Sequence, residues 1–145
     1  LYLLPGRRET EIGSLKPVEV LLVSIEENRI CVATDTKDRG TGITLTAALE
    51  DMKASSSGEI FLETVSYVLV TEETRFLLDQ LSRILRPGTL VLLAAGQVET
   101  ERVAEFLAVH KTECALWECT DGQTPLPKLM TAGERYYLVH PELNE

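Results

Sequence analysis

Three cysteines and two histidines hold most of the chemistry this chain can offer: Cys31, Cys114, Cys119, His110 and His140. Nucleophilic catalysis needs a thiol or hydroxyl with a base within reach, and the two imidazoles are the natural bases. Cys114 follows His110 by four residues, so on a continuous helix the two would share a face. With Cys119 and His140 they make two thiols and two imidazoles, the ligand inventory of a tetrahedral zinc site. The spacing lacks the tight ligand pairs of structural zinc sites, so no metal is assigned and His110 reads as the end of a helix, where its charged form favours the dipole. Three cysteines without a Cys-x-x-Cys pair are not a disulfide framework. Cys31, between Ile30 and Val32, reads as a small buried hydrophobe.

The remaining candidates are weaker. Gly40-Thr41-Gly42 has neither the further glycines nor the following lysine of a phosphate cradle, and reads as a tight chain reversal. Glu26-Glu27 and Glu72-Glu73 are adjacent in sequence and do not face each other, so they are not acid/base dyads. Trp117, Tyr136 and Tyr137 read as core and sheet aromatics. The sequence therefore assigns no catalytic, cofactor-binding or metal residue and calls for no cofactor.

Such residues need a scaffold, and the stretch from Glu59 to Gly96 provides its centre. Val65 and Tyr67 to Val70 form an almost unbroken apolar run, as does Leu90 to Leu93, which suits strands covered on both faces. Between them Leu77, Leu78, Leu81, Ile84 and Leu85 recur at helical spacing, up to a stop at Pro87-Gly88. A strand, a helix and a strand imply a parallel pair. Upstream, Val18 to Ile25 and Arg29 to Thr34 predict a hairpin, with Asn28 suited to positive φ in its turn. Leu45, Ala48, Leu49 and Met52 predict a helix of about ten residues capped by Thr44. Val103, Phe106, Leu107 and His110 predict a third helix, with Glu99, Glu101 and Glu105 turned outward. Further on, the expectation is a short strand at Ala115 to Trp117, a turn at Asp121-Gly122, a constrained linker from Thr124 to Pro127 and a last strand from Arg135 to His140.

The predicted fold is thus α/β or α+β: a mixed β-sheet with an N-terminal hairpin, a parallel strand-helix-strand core and about three helices. At 145 residues the chain holds one domain, here 10–145, with 1–9 as a leader or linker. Its composition, 44% apolar and 26% charged, is globular, and no apolar run reaches the roughly 18 residues a membrane span needs. A net charge of −9, with no basic cluster beyond Arg7-Arg8, argues against a nucleic-acid partner. The chain opens at Leu1 rather than methionine, so a further segment upstream is expected, a signal or membrane tether included.

Taken in order, these features are similar to the N-terminal domain of the Ger(x)C-type spore germination lipoproteins, the C subunits of germinant receptors. Arg7-Arg8-Glu9 followed by the apolar run from Val18 matches the Arg-Arg-Glu sequence and strand hairpin of that family. Gly42-Ile43-Thr44-Leu45-Thr46-Ala47-Ala48-Leu49 matches its helix-opening stretch, and Ile60-Phe61-Leu62 with Tyr67 to Glu73 its apolar strand ahead of an acidic turn. The likeness runs from about Arg7 to Leu107, and no cysteine precedes Arg7 to match the family's lipid-modified one. The resemblance implies a non-enzymatic, extracytoplasmic module, tethered at the spore inner membrane and working by contacts with other receptor subunits. The alternative is a cytoplasmic small-ligand regulator or enzyme, with its site at the carboxyl ends of the strands predicted at 65–70 and 89–94, where open α/β sheets usually place ligands.

Overall fold

The computed structural model describes residues 15–110, 112–121 and 123–141. The leader expected at 1–9, with Arg7 and Arg8, lies outside them. The described chain is a single mixed α/β unit. In order it contains strands β1 (Leu15–Pro17), β2 (Val20–Glu26), β3 (Arg29–Thr34) and β4 (Arg39–Gly42), then helix α1 (Leu45–Ser55). There follow β5 (Glu59–Phe61), β6 (Tyr67–Val70), the short helix α2 (Leu78–Leu81), β7 (Leu90–Ala94), α3 (Thr100–Val109), β8 (Lys128–Ala132) and β9 (Arg135–Val139). Seven strands join in the order β4-β3-β2-β6-β7-β8-β9, and β1 pairs with β5 as a separate two-stranded unit.

The parallel centre is where the apolar runs placed it: Val68 lies opposite Val91 and Leu69 opposite Leu92. β2 adds to the other side of β6 in parallel register, with Leu22 opposite Leu69. Because side chains alternate along a strand, each central strand feeds two cores. Val23, Val32, Val68, Val70, Val91 and Leu93 pack with α1 and with Leu78 and Leu81 of α2. Val20, Tyr67, Leu69, Leu92 and Leu129 pack with Val103 and Leu107 of α3 on the opposite face. Thr44 caps α1 as expected, its hydroxyl accepting from the Ala47 amide at 3.1 Å. The β2–β3 hairpin also forms, and its turn places both Glu27 (φ 53°) and Asn28 (φ 63°) in the left-handed region.

Several expectations are corrected. The apolar stretch from Glu59 to Val70 is not one strand, since a 3₁₀ turn at Leu62–Thr64 separates β5 from β6, and β6 starts at Tyr67 rather than Val65. The next strand is Leu90–Ala94. The helix expected up to Arg86 is a 3₁₀ turn at Arg75–Leu77 and the four residues of α2. Beyond it, the Arg83 and Ile84 amides donate to carbonyls three residues back, a tighter winding that leaves Ile84 at the surface while Leu85 stays buried. Gly40-Thr41-Gly42 is part of strand β4, and its glycines serve close packing rather than a reversal. A Cβ on Gly40 would lie 2.3 Å from the Ala48 carbonyl oxygen, and one on Gly42 would lie 2.6 Å from the Ala48 nitrogen. Ala115 makes only one isolated bridge, to Leu90, and Leu116–Glu118 is a 3₁₀ turn. Trp117 is exposed on that turn and belongs to neither core nor sheet, whereas Tyr136 and Tyr137 are sheet residues of β9, Tyr137 on an exposed side. β8 carries a single fully buried side chain, Leu129, and pairs antiparallel with the expected last strand, β9.

Candidate functional site

Helix α3 packs across β6, β7, β8 and the start of β2, leaving part of β2 and β3 uncovered on that face. The result is a concavity of about 860 Å³. Its floor is Leu22, Ser24, Cys31 and Ala33; Lys37 and Arg39 stand on one side and the segment 96–102 on the other. Thr71, directly after β6, and Ala94, the last residue of β7, also border it, so it touches the carboxyl ends of the two central strands.

The wall formed by 96–102 is held at several points. Gly96 leaves β7 with φ 94°, a conformation that suits a residue without Cβ. The Glu99 amide donates to the Tyr136 hydroxyl at 2.9 Å, and the Thr100 hydroxyl donates to the Thr34 carbonyl at 2.7 Å. These bonds fix the start of α3 against both β3 and β9. The charges around the opening are mixed. Arg39 pairs with Glu26 at 3.6 Å and Arg102 with Glu99 at 3.9 Å, all solvent-exposed contacts of small energetic weight.

Cys31 is the one thiol on the floor of this concavity among the described residues. Burial raises its pKa, the Glu26 carboxylate raises it further, and its Sγ has the Arg29 carbonyl 3.9 Å away. A buried thiol with a raised pKa is a poor nucleophile and a poor metal ligand. The arrangement suits noncovalent binding of a ligand with both apolar and charged parts.

The four residues of the hypothetical zinc set separate into two pairs. Helix α3 stops at Val109, and His110 is extended (φ −108°), so Cys114 never reaches the same helical face. The His110 ring stacks on Phe106 with centroids 4.2 Å apart, and His140 lines the same shallow pocket beside Tyr136. Cys114 and Cys119 meet elsewhere, with Sγ atoms 2.6 Å apart, beside the core that holds Leu116 and Leu126. Among the described residues no group of three or more His, Cys, Asp or Glu could hold a metal ion.

Asp121 gathers the polar groups of Gln123 and Thr124 around its carboxylate. Asp121 Oδ1 accepts from the amides of Gln123 and Thr124 at 3.0 and 3.1 Å and from the Thr124 hydroxyl, which holds its carboxyl below the usual range. Arg75 donates to the Thr124 carbonyl, fastening this turn to the segment that follows β6.

Outside the concavity, the largest exposed apolar side chains include Ile43 (77% exposed) and Phe76 (68%). Ile43 follows β4 and Phe76 follows β6, strands that run in the same direction on either side of the β2–β3 hairpin. Gln80 Nε2 donates to Thr46 Oγ1 at 3.3 Å and ties the helical turn after Phe76 to the start of α1. Neither apolar side chain was a candidate from sequence, because each sits inside a segment whose other apolar residues are buried. No family model, curated protein or solved structure matches this chain.

Proposed function

We propose that this domain is a non-enzymatic module of a membrane-associated spore germination receptor assembly, tethered outside the cytoplasm and acting through contacts with other receptor subunits. The order of Arg7-Arg8-Glu9, the hairpin, the helix opened by Gly42 to Leu49 and the strand ending in Tyr67 to Glu73 supports this reading. The structural observation that carries the contact role is the exposure of Ile43 and Phe76 on linked segments beside the carboxyl ends of β4 and β6. Large apolar side chains in such a position favour association when a partner covers them. The test is fractionation of cells making the full-length parent, followed by co-purification with Ile43→Ser and Phe76→Ser combined. The expected result is a parent in the membrane fraction whose receptor partners are lost in the double variant while the parent's own level is unchanged. A parent that remains in the cytosol after lysis sinks the receptor reading.

The second reading, a cytoplasmic small-ligand regulator or enzyme, is favoured by the concavity bordered by Thr71 and Ala94. It predicts that Ala33→Trp, which fills the floor, abolishes ligand response while the Ile43 and Phe76 changes leave it intact.

A further inference from the structure

Cys114 and Cys119 are held in place mainly by backbone bonds, and the Cys119 thiol also donates to the Ala115 carbonyl at 3.0 Å. The Cys114 carbonyl accepts from the Val91 amide at 2.8 Å, and the Leu116 amide donates to the Thr89 carbonyl at 2.7 Å, so the start of the turn is fastened to β7 and the residue before it. The 3₁₀ turn Leu116–Glu118 is then closed by the Cys119 amide on the Leu116 carbonyl at 3.0 Å, and the Glu118 carboxylate accepts from the Ala115 amide at 3.1 Å. Leu116, fully buried, anchors the turn in the core. The outcome is a separation of 2.6 Å between the two sulfurs, well inside the distance kept by non-bonded sulfur atoms and only about half an ångström beyond a sulfur–sulfur bond of about 2.05 Å. Cys31 lies apart from this pair, on β3 at the floor of the concavity.

We propose that Cys114 and Cys119 form a reversible intrachain disulfide by exchange with a small-molecule disulfide. Cys114 is half-buried and Cys119 fully buried, so Cys114 is the sulfur an external reagent reaches first. Its thiolate attacks one sulfur of the reagent, forming a mixed disulfide and releasing the first small thiolate. Cys119 then loses its proton to solvent and attacks Cys114 Sγ, closing the protein disulfide and releasing the second small thiolate. Two protein thiols are oxidised and one small disulfide is reduced to two thiols. Burial raises the Cys119 pKa, and the neighbouring Cys114 raises it further, which makes the second step the slower one. The inference does not rest on the proposed function, because it is argued from the Cys114–Cys119 geometry and not from Ile43 or Phe76.

The test uses the folded protein, first reduced and freed of reductant, then equilibrated with mixtures of oxidised and reduced glutathione. After acid quench, denaturation and alkylation, trypsin cleaves at Lys111 and Lys128, so both cysteines fall in one peptide and Cys31 in another. The expected result is a peptide 112–128 lighter by two hydrogens and resistant to alkylation, while Cys31 remains fully alkylated, with dithiothreitol restoring both labels. Complete alkylation of Cys114 and Cys119 at every glutathione ratio overturns the proposal. So does a glutathione adduct that persists on Cys114 at equilibrium.

Discussion

Thr74 shows how much structure one buried hydroxyl can organise. It is fully buried, donates to the Val23 carbonyl at 2.8 Å and accepts from the Thr71 amide at 2.8 Å. One side chain thus closes the turn after β6 and ties it to β2. Thr74→Val keeps the shape but leaves a buried carbonyl and a part-buried amide without this partner, a loss of about 1–3 kcal/mol. Urea midpoints should show it, whereas Thr41→Val, at an exposed position of β4, should move the midpoint little. Equal midpoints for Thr74→Val and the unmodified protein would mean that the turn finds other partners. Nothing in Thr71-Glu72-Glu73-Thr74 distinguishes this threonine by sequence, because the decisive acceptor lies 51 residues away. The meeting of Cys114 and Cys119 escaped for a related reason. Their approach depends on a 3₁₀ turn anchored by Leu116, where the sequence reading expected a short strand at Ala115 to Trp117.

Most strands and helices with one clear apolar pattern were legible, and elements built on close backbone contact were not. The exception among the patterned elements is the helical spacing from Leu77 to Leu85, which gave only the four residues of α2 flanked by 3₁₀ turns. The β2–β3 hairpin, the β6–β7 parallel pair, α1 with its Thr44 cap and the apolar face of α3 follow from periodicity and turn chemistry. β4 carries no apolar side chain for periodicity to detect, because the sequence Arg-Gly-Thr-Gly packs through the absence of Cβ atoms. β8 follows Pro125 and Pro127, and its one deeply buried residue, Leu129, is too little for a pattern. The glycine argument makes a prediction for the β4–α1 contact. Gly40→Ala puts a methyl group 2.3 Å from the Ala48 carbonyl oxygen, a backbone atom that cannot swing aside. The helix must lift from the strand, at a cost of about 1–3 kcal/mol. Gly88→Ala meets no atom within 4 Å and serves as the control. Thermal denaturation should rank Gly40→Ala well below the control, and equal melting temperatures would show that α1 is not seated on β4 this closely.

At the scale of the molecule, one sheet separates two cores, and their independence is the question stability measurements can answer. Leu69 and Leu78 are both fully buried, the first facing α3 and the second on the α1 side of the sheet. Replacing either with Ala empties a packed leucine site, a change worth about 2–5 kcal/mol. The cores cannot melt separately without breaking shared backbone, because Val68 and Leu69 are consecutive residues of β6 that face opposite ways. Unfolding the α3 side would expose the β6–β7 ladder that also carries Val68 and Val91. Leu69→Ala and Leu78→Ala should therefore each lower the midpoint of a single transition. Far-UV circular dichroism and the emission of Trp117 should give coincident curves in both variants. Trp117 suits this purpose because its amide is bonded to the Pro87 carbonyl, beside the residues that lead into β7. A Leu69→Ala protein in which circular dichroism changes well before Trp117 emission would instead make the α3 face a separate unfolding unit, with the sheet and α1 as the surviving core.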